Sequence, residues 1–198
     1  MKKLLLCAVL AIFSFTSLNA QEVKFGAKAG VNFSNITGEM VDSFDGRTSF
    51  HIGAVAEIVF SEKFSFQPEL IYSSQGSDYS EDFEGEDFEG TVKVDYLNIP
   101  LMAKYYVAEG LSIEAGPQIG LLLSATDEYE DEEDDIKDFL KSTDFGINLG
   151  LGYKLGSGLN FSARYNLGLS DNLDVDGFET DGAEYKNSVI QISVGYFF

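Results

Sequence analysis

The chain has 198 residues and a formal charge of −20, with 33 acidic against 13 basic side chains. That balance excludes recognition of nucleic acid through its phosphates, which needs clustered Lys and Arg. The single cysteine, Cys7, excludes an intrachain disulfide, and nothing after residue 20 is long and apolar enough for a spanning helix.

Residues 1–20 read as a signal peptide. Lys2 and Lys3 give the positive start, Leu4 to Phe15 the apolar run, and Asn19-Ala20 a cleavage site before Gln21. Cys7 falls inside the apolar run, too early for a lipid anchor. Residues 21–198 are expected to form one domain.

From there the chain alternates with a period of two, the mark of strands. Val23, Phe25, Ala27, Ala29, Val31 and Phe33 share the first apolar face; Phe50, Ile52, Ala54, Ala56, Ile58 and Phe60 share the second. After Ser61-Glu62-Lys63, a third strand sets Phe64, Phe66, Pro68, Leu70 and Tyr72 against Ser65, Gln67, Glu69 and Ser73. The fourth covers 96–107 and the fifth 111–121, joined by Ala108-Glu109-Gly110. The sixth and seventh, 144–155 and 159–168, flank Gly156-Ser157-Gly158, a turn suited to positive φ. The eighth places Ile190, Ile192, Val194, Tyr196 and Phe198 on one face. Pro68, Pro100 and Pro117 each lack a donor, which predicts bulges or strand ends.

The polar face is rich in Gly, Ser and Asn, as a cramped lumen requires, and aromatics gather near the strand ends, as membrane girdles do. The expected fold is all-β: an eight-stranded antiparallel up-and-down transmembrane β-barrel with long acidic extracellular loops. Closure removes the unpaired edges that lipid cannot satisfy. The alternation turns Lys24, Lys28, Glu57, Glu69, Lys104, Glu114, Lys154 and Arg164 inward, with mixed signs. A salt-bridged plug is expected, since confined charges must pair and eight strands leave room for side chains only.

The run Asp95-Tyr96-Leu97-Asn98-Ile99-Pro100-Leu101-Met102-Ala103-Lys104-Tyr105 resembles a segment of the PorT-like outer-membrane β-barrel family of Bacteroidota-type bacteria. Phe25 to Phe33, Gln67-Pro68-Glu69-Leu70 and the closing Val194-Gly195-Tyr196-Phe197-Phe198 are similar to the same family's pattern. The resemblance covers nearly the whole mature chain and implies an outer-membrane barrel. It carries over no catalytic residue. The closing strand also resembles the signal read by the barrel-assembly machinery.

The long connections, roughly 34–48, 76–91, 124–142 and 170–187, carry most of the negative charge and are expected outside the cell, with short turns and termini periplasmic. Glu81-Asp82-Phe83-Glu84-Gly85 is repeated at once as 86–90; Ile136, Phe139 and Leu140 are spaced for a short helix. Such acidity suits a solvated surface, or divalent cations bound by clustered oxygens. Asn172, Asp174, Asp176 and Glu184 are the calcium candidates, with Ala183 where a calcium loop wants its bidentate Glu. His51, two residues after Ser49, is expected as a buried hydrogen-bonded histidine rather than a catalytic base. No catalytic residue and no cofactor are expected. The anticipated role is a non-enzymatic outer-membrane protein acting through its surface loops, alternatively an accessory of transport or secretion. Its expected partners are outer-membrane lipid, the barrel-assembly machinery and divalent cations at the loops. A monomer is expected.

Overall fold

The computed structural model describes residues 22–38, 44–83, 86–129, 132–174 and 185–198. Nine strands follow in chain order: β1 (Glu22–Thr37), β2 (Phe44–Val59), β3 (Phe64–Phe83), β4 (Glu86–Tyr106), β5 (Leu111–Tyr129), β6 (Glu132–Asp135), β7 (Thr143–Lys154), β8 (Leu159–Gly168) and β9 (Lys186–Phe197). Eight of them close a ring in which each strand pairs antiparallel with its neighbours and β1 meets β9, from Gly26↔Phe197 to Thr37↔Lys186. The ninth, β6, lies along the far end of β5.

Period-two alternation decides which side each residue faces. Along β7, Leu149 and Leu151 are 58% and 55% exposed on the outside, whereas Asn148 is 1% exposed within. This inverts the usual soluble arrangement: the outer surface is the apolar one, and most buried side chains are polar or charged. Such an exterior is stable only against hydrocarbon.

One end of the ring carries the start of β1, the end of β9 and three tight turns. Gly110 (φ 75°) and Gly158 (φ 92°) supply left-handed backbone in two of them. The other end carries the long hairpins. There the strands outrun the sequence expectation: β3 and β4 stay paired through Ser80↔Glu89 to Phe83↔Glu86, inside a stretch read as loop. The described parts of the two copies of the acidic repeat, 81–83 and 86–90, thus lie on opposite arms of one hairpin. The expected helix near Ile136 is a single 3₁₀ turn, Lys137–Phe139, because Ile136 and Leu140 pack down against an apolar cluster instead of extending a helix.

The prolines also depart from expectation. None ends a strand or makes a bulge; the register shifts fall at Gly46/His51 between β2 and β3 and at Asp95/Tyr96 between β4 and β5. Each proline instead opens a two-residue gap in one ladder while register holds. The gap faces β2 at Pro68, β3 at Pro100 and β4 at Pro117, and each proline keeps its pairing on the other side (Pro68↔Leu101, Pro100↔Gln118, Pro117↔Ile147). An antiparallel residue sends its N–H to one neighbour only, so a missing donor weakens one seam.

Candidate functional site

The site is the lumen, layered along its axis. Nearest the turns, Glu57 accepts from Lys154 Nζ at 2.6 Å, from Ser65 Oγ at 2.8 Å and from the Tyr106 hydroxyl. Below this layer a cavity of about 1060 Å³ opens at the turn end, lined in part by Lys24, Lys63, Tyr106, Lys154 and Phe197.

The middle layer is ionic. The Arg164 guanidinium grips Glu69 with two prongs, at 2.9 and 2.7 Å, and reaches Glu114 at 2.9 and 2.7 Å. Lys28 Nζ lies 3.3 Å from Glu69, and Lys104 Nζ 3.0 Å from Glu114. These five side chains, on β1, β3, β4, β5 and β8, bolt the barrel wall across its interior, and all are buried. Of the eight inward charges expected from sequence, seven join such pairs within the lumen. Lys24 instead pairs with Glu22 at the exposed rim, at 3.3 Å.

Above the ions lies an amide and hydroxyl layer centred on His51, 1% exposed. Asn32 Nδ2 donates to Phe50 O, Ser73 Oγ and Ser74 O, which fixes its amide orientation. Its Oδ1 therefore accepts from His51 Nδ1 at 2.7 Å, leaving Nε2 to accept from the Ser193 hydroxyl at 2.9 Å. Ser49, the sequence neighbour, is not the partner; its hydroxyl donates to Ser74 O. The order Ser–His–Asn is that of a hydrolytic relay, yet a Cβ at Gly30 would stand 2.8 Å from His51 Cε1 and 2.8 Å from Ser193 Cα. The wall at Gly30 closes directly on the relay, and His51 is 1% exposed.

At the hairpin end, Ile36, Val92, Val94, Tyr96, Leu122 and Ala125 form an apolar cap, with Tyr79, Ile136, Leu140 and Tyr185 packed against it. Ile36, Tyr79, Ala125, Ile136, Leu140 and Tyr185 come from stretches read as loop, which is why pattern alone misses the cap. Of the calcium candidates, Asn172 turns inward, 3.3 Å from Ser170 Oγ, and Asp174 donates its backbone N–H to Phe139 O. Asp176 and Glu184 lie outside the described residues. Among the described residues no group of three or more His, Cys, Asp or Glu is placed to hold a metal.

A closed ring with an apolar exterior and an ion-paired interior is the architecture of an integral outer-membrane β-barrel. The chain belongs to the family of the outer membrane protein beta-barrel domain, whose model matches residues 19–174. Its fold is similar to that of Neisserial surface protein A (TM-score 0.58, 10% identity, 89% of this chain and 99% of that one). It is also similar to Ail, the attachment invasion locus protein of Yersinia pestis (TM-score 0.52, 13% identity, 89% and 99%). At these identities the likeness shows the fold alone. Comparison with curated protein sequences gives no match.

Proposed function

We propose that this protein is a closed, non-enzymatic outer-membrane barrel that presents an acidic surface to the outside of the cell. The observation that carries this reading is the double seal of the lumen: the Arg164–Glu69–Glu114 bolt below and the apolar cap above. A sealed cylinder works through its rims. In this reading the hairpin end is extracellular and the turn end periplasmic, the arrangement usual for such barrels.

On the hairpin end, Asp45, Asp78, Glu89 and Glu128 line a groove of about 600 Å³. An Ail structure is described in complex with a heparin analogue, sucrose octasulfate. A polyanion suits this chain poorly, since its net charge is −20; a cationic peptide or divalent cations fit the same surface. Purified barrel in planar bilayers should show no steady conductance, and whole cells displaying it should bind a polylysine probe in a salt-dependent way. A wild-type protein that conducts ions steadily overturns the sealed reading.

The second reading, an accessory of transport or secretion, draws on the resemblance of Asp95–Tyr105 to PorT-like barrels and on the roomy cavity at the turn end. Trimming the acidic hairpins separates the two. It abolishes function under the first reading and spares it under the second.

A further inference from the structure

The turn-end cavity, at about 1060 Å³, has room for a metabolite-sized molecule, since ligand pockets commonly measure roughly 300–1,000 Å³. Three of its lining residues converge on Glu57, the fully buried carboxylate at its inner end. Lys154 Nζ lies 2.6 Å from Glu57 Oε2, the Tyr106 hydroxyl donates to Oε1, and Lys24 stands directly opposite Glu57 across β1 and β2. Directly opposed residues hold their Cβ atoms about 4.5–5.5 Å apart, so Lys24 starts from the same layer as Lys154. Lys63 joins from the β2–β3 turn, where its carbonyl accepts from the Tyr106 N–H at 2.8 Å.

The charges at that inner end do not balance. From the Glu57 layer to the bolt the lumen holds four cations, Lys28, Lys104, Lys154 and Arg164, against three carboxylates, Glu57, Glu69 and Glu114. Asp144, the other buried carboxylate among the described residues, sits ten residues from Lys154 along β7, or about 34 Å at ~3.4 Å per residue. One positive charge is left in excess beside the cavity, and a confined charge must be paired or wetted.

Lys154 is the cation that reaches the open space. Its side chain is 19% exposed, and its ammonium, with three donors, makes one hydrogen bond among the described residues. The same Nζ lies 5.1 Å from the ring centroid of Tyr106 and 5.6 Å from that of Phe197, which puts a cation and two aromatic rings on one wall. Glu22, Glu62, Glu109 and the terminal Phe198 also line the cavity, but at its exposed rim, where salt screens charge beyond about 10 Å. Glu22 there holds Lys24 at 3.3 Å, whereas Lys63 makes no ion pair among the described residues.

We propose that the turn-end cavity binds a small organic anion with a flat apolar body. The anionic group lies on Lys154, Lys24 and Lys63, and the body lies against Tyr106 and Phe197. The anion supplies the countercharge that the lumen lacks, and the rings favour it over a bare inorganic ion. The site lies at the opposite end of the barrel from the acidic hairpins and is independent of what they bind.

The test titrates the full mature barrel, refolded in zwitterionic detergent, with phenyl phosphate at constant ionic strength and follows the amide resonances by NMR. Saturable shifts at Lys24, Lys63, Tyr106, Lys154 and Phe197 are expected, with none around His51. Inorganic phosphate should bind about tenfold more weakly for want of the ring, and neutral phenyl glucoside should not bind. Lys63→Gln should weaken phenyl phosphate about threefold, and adding Lys24→Gln should weaken it further. Both substitutions leave the Glu57 layer intact, so lost binding is not lost folding. Equal affinity for the two phosphates, unchanged affinity in the double variant, or no saturable shift by about 10 mM phenyl phosphate overturns the proposal.

Discussion

Arg164 and Glu69 stand 95 residues apart in the chain and meet as a bidentate pair, Nη1 to Oε2 at 2.9 Å and Nη2 to Oε1 at 2.7 Å. The planar fork also reaches Glu114, so one cation serves two carboxylates from different strands. Arg164→Ala would leave Glu69 facing Lys28 alone and Glu114 facing Lys104 alone. Removing one partner of a buried pair costs about 3–5 kcal/mol, and urea unfolding in lipid vesicles should show a loss of that order. Arg164→Lys should recover little of it, because an ammonium cannot make the two-pronged contact.

His51→Ala deletes the acceptor of the Ser193 hydroxyl and the donor to Asn32. A loss of about 1–3 kcal/mol follows from the buried Ser193 hydroxyl left without this partner, while Asn32 Oδ1 keeps Gln191 Nε2 at 3.1 Å. Ser193 should resist a fluorophosphonate probe in wild type and variant alike. Labelling of wild type that vanishes in the variant would turn the relay from a structural element into a catalytic one.

Gly76 sits in β3 at φ 122°, and a Cβ there would come within 1.9 Å of Val92 O. Gly76→Ala therefore meets both backbone strain, about 1–3 kcal/mol, and a collision with the neighbouring strand. The variant should give less of the fast-migrating band in unboiled electrophoresis than wild type at equal expression.

Asp171 closes the junction after β8. Partial burial pushes its carboxyl upward, but the N–H groups of Tyr185 and Leu173 and the Lys141 ammonium outweigh this and hold it below the usual 3.8. A depressed folded value means that its contribution is complete above 3.8 and fades as pH falls through the lower folded value. The amide resonances of Tyr185 and Leu173 should shift together on acidification below that point, and Asp171→Asn should remove the transition.

Over the outward belt, the sequence showed the fold almost directly. An inverted barrel keeps strict alternation wherever lipid meets one face, so the eight barrel strands, seven of the eight expected inward charges and the buried His51 were readable. Legibility ends where lipid ends. Gly76 to Ser80 and the acidic repeat have a loop's composition, yet backbone pairing carries β3 and β4 on past the belt, supported by contacts such as Thr91 Oγ1 to Asp78 at 2.8 Å. The hydroxyl partner of His51 lies 142 residues away in Ser193, beyond the reach of any local pattern, while the nearby Ser49 drew attention by proximity. Asp144 could be read as inward-facing from its place in β7. Its hydrogen-bond partners Ser170 and Asn187 lie 26 and 43 residues away and could not be read.

The three prolines sit on adjacent strands, Pro68 beside Leu101 and Pro100 beside Gln118, so their ladder gaps descend as a staircase from β2 to β5. Elsewhere long runs of backbone bonds stitch the ring. The wall is consequently most compliant along that one diagonal, and squeezing by a thinner or more crowded bilayer should ovalise the cylinder there first. The Arg164 bolt, anchored to β3 and β5 and so spanning two of the three gaps, is what resists that flattening.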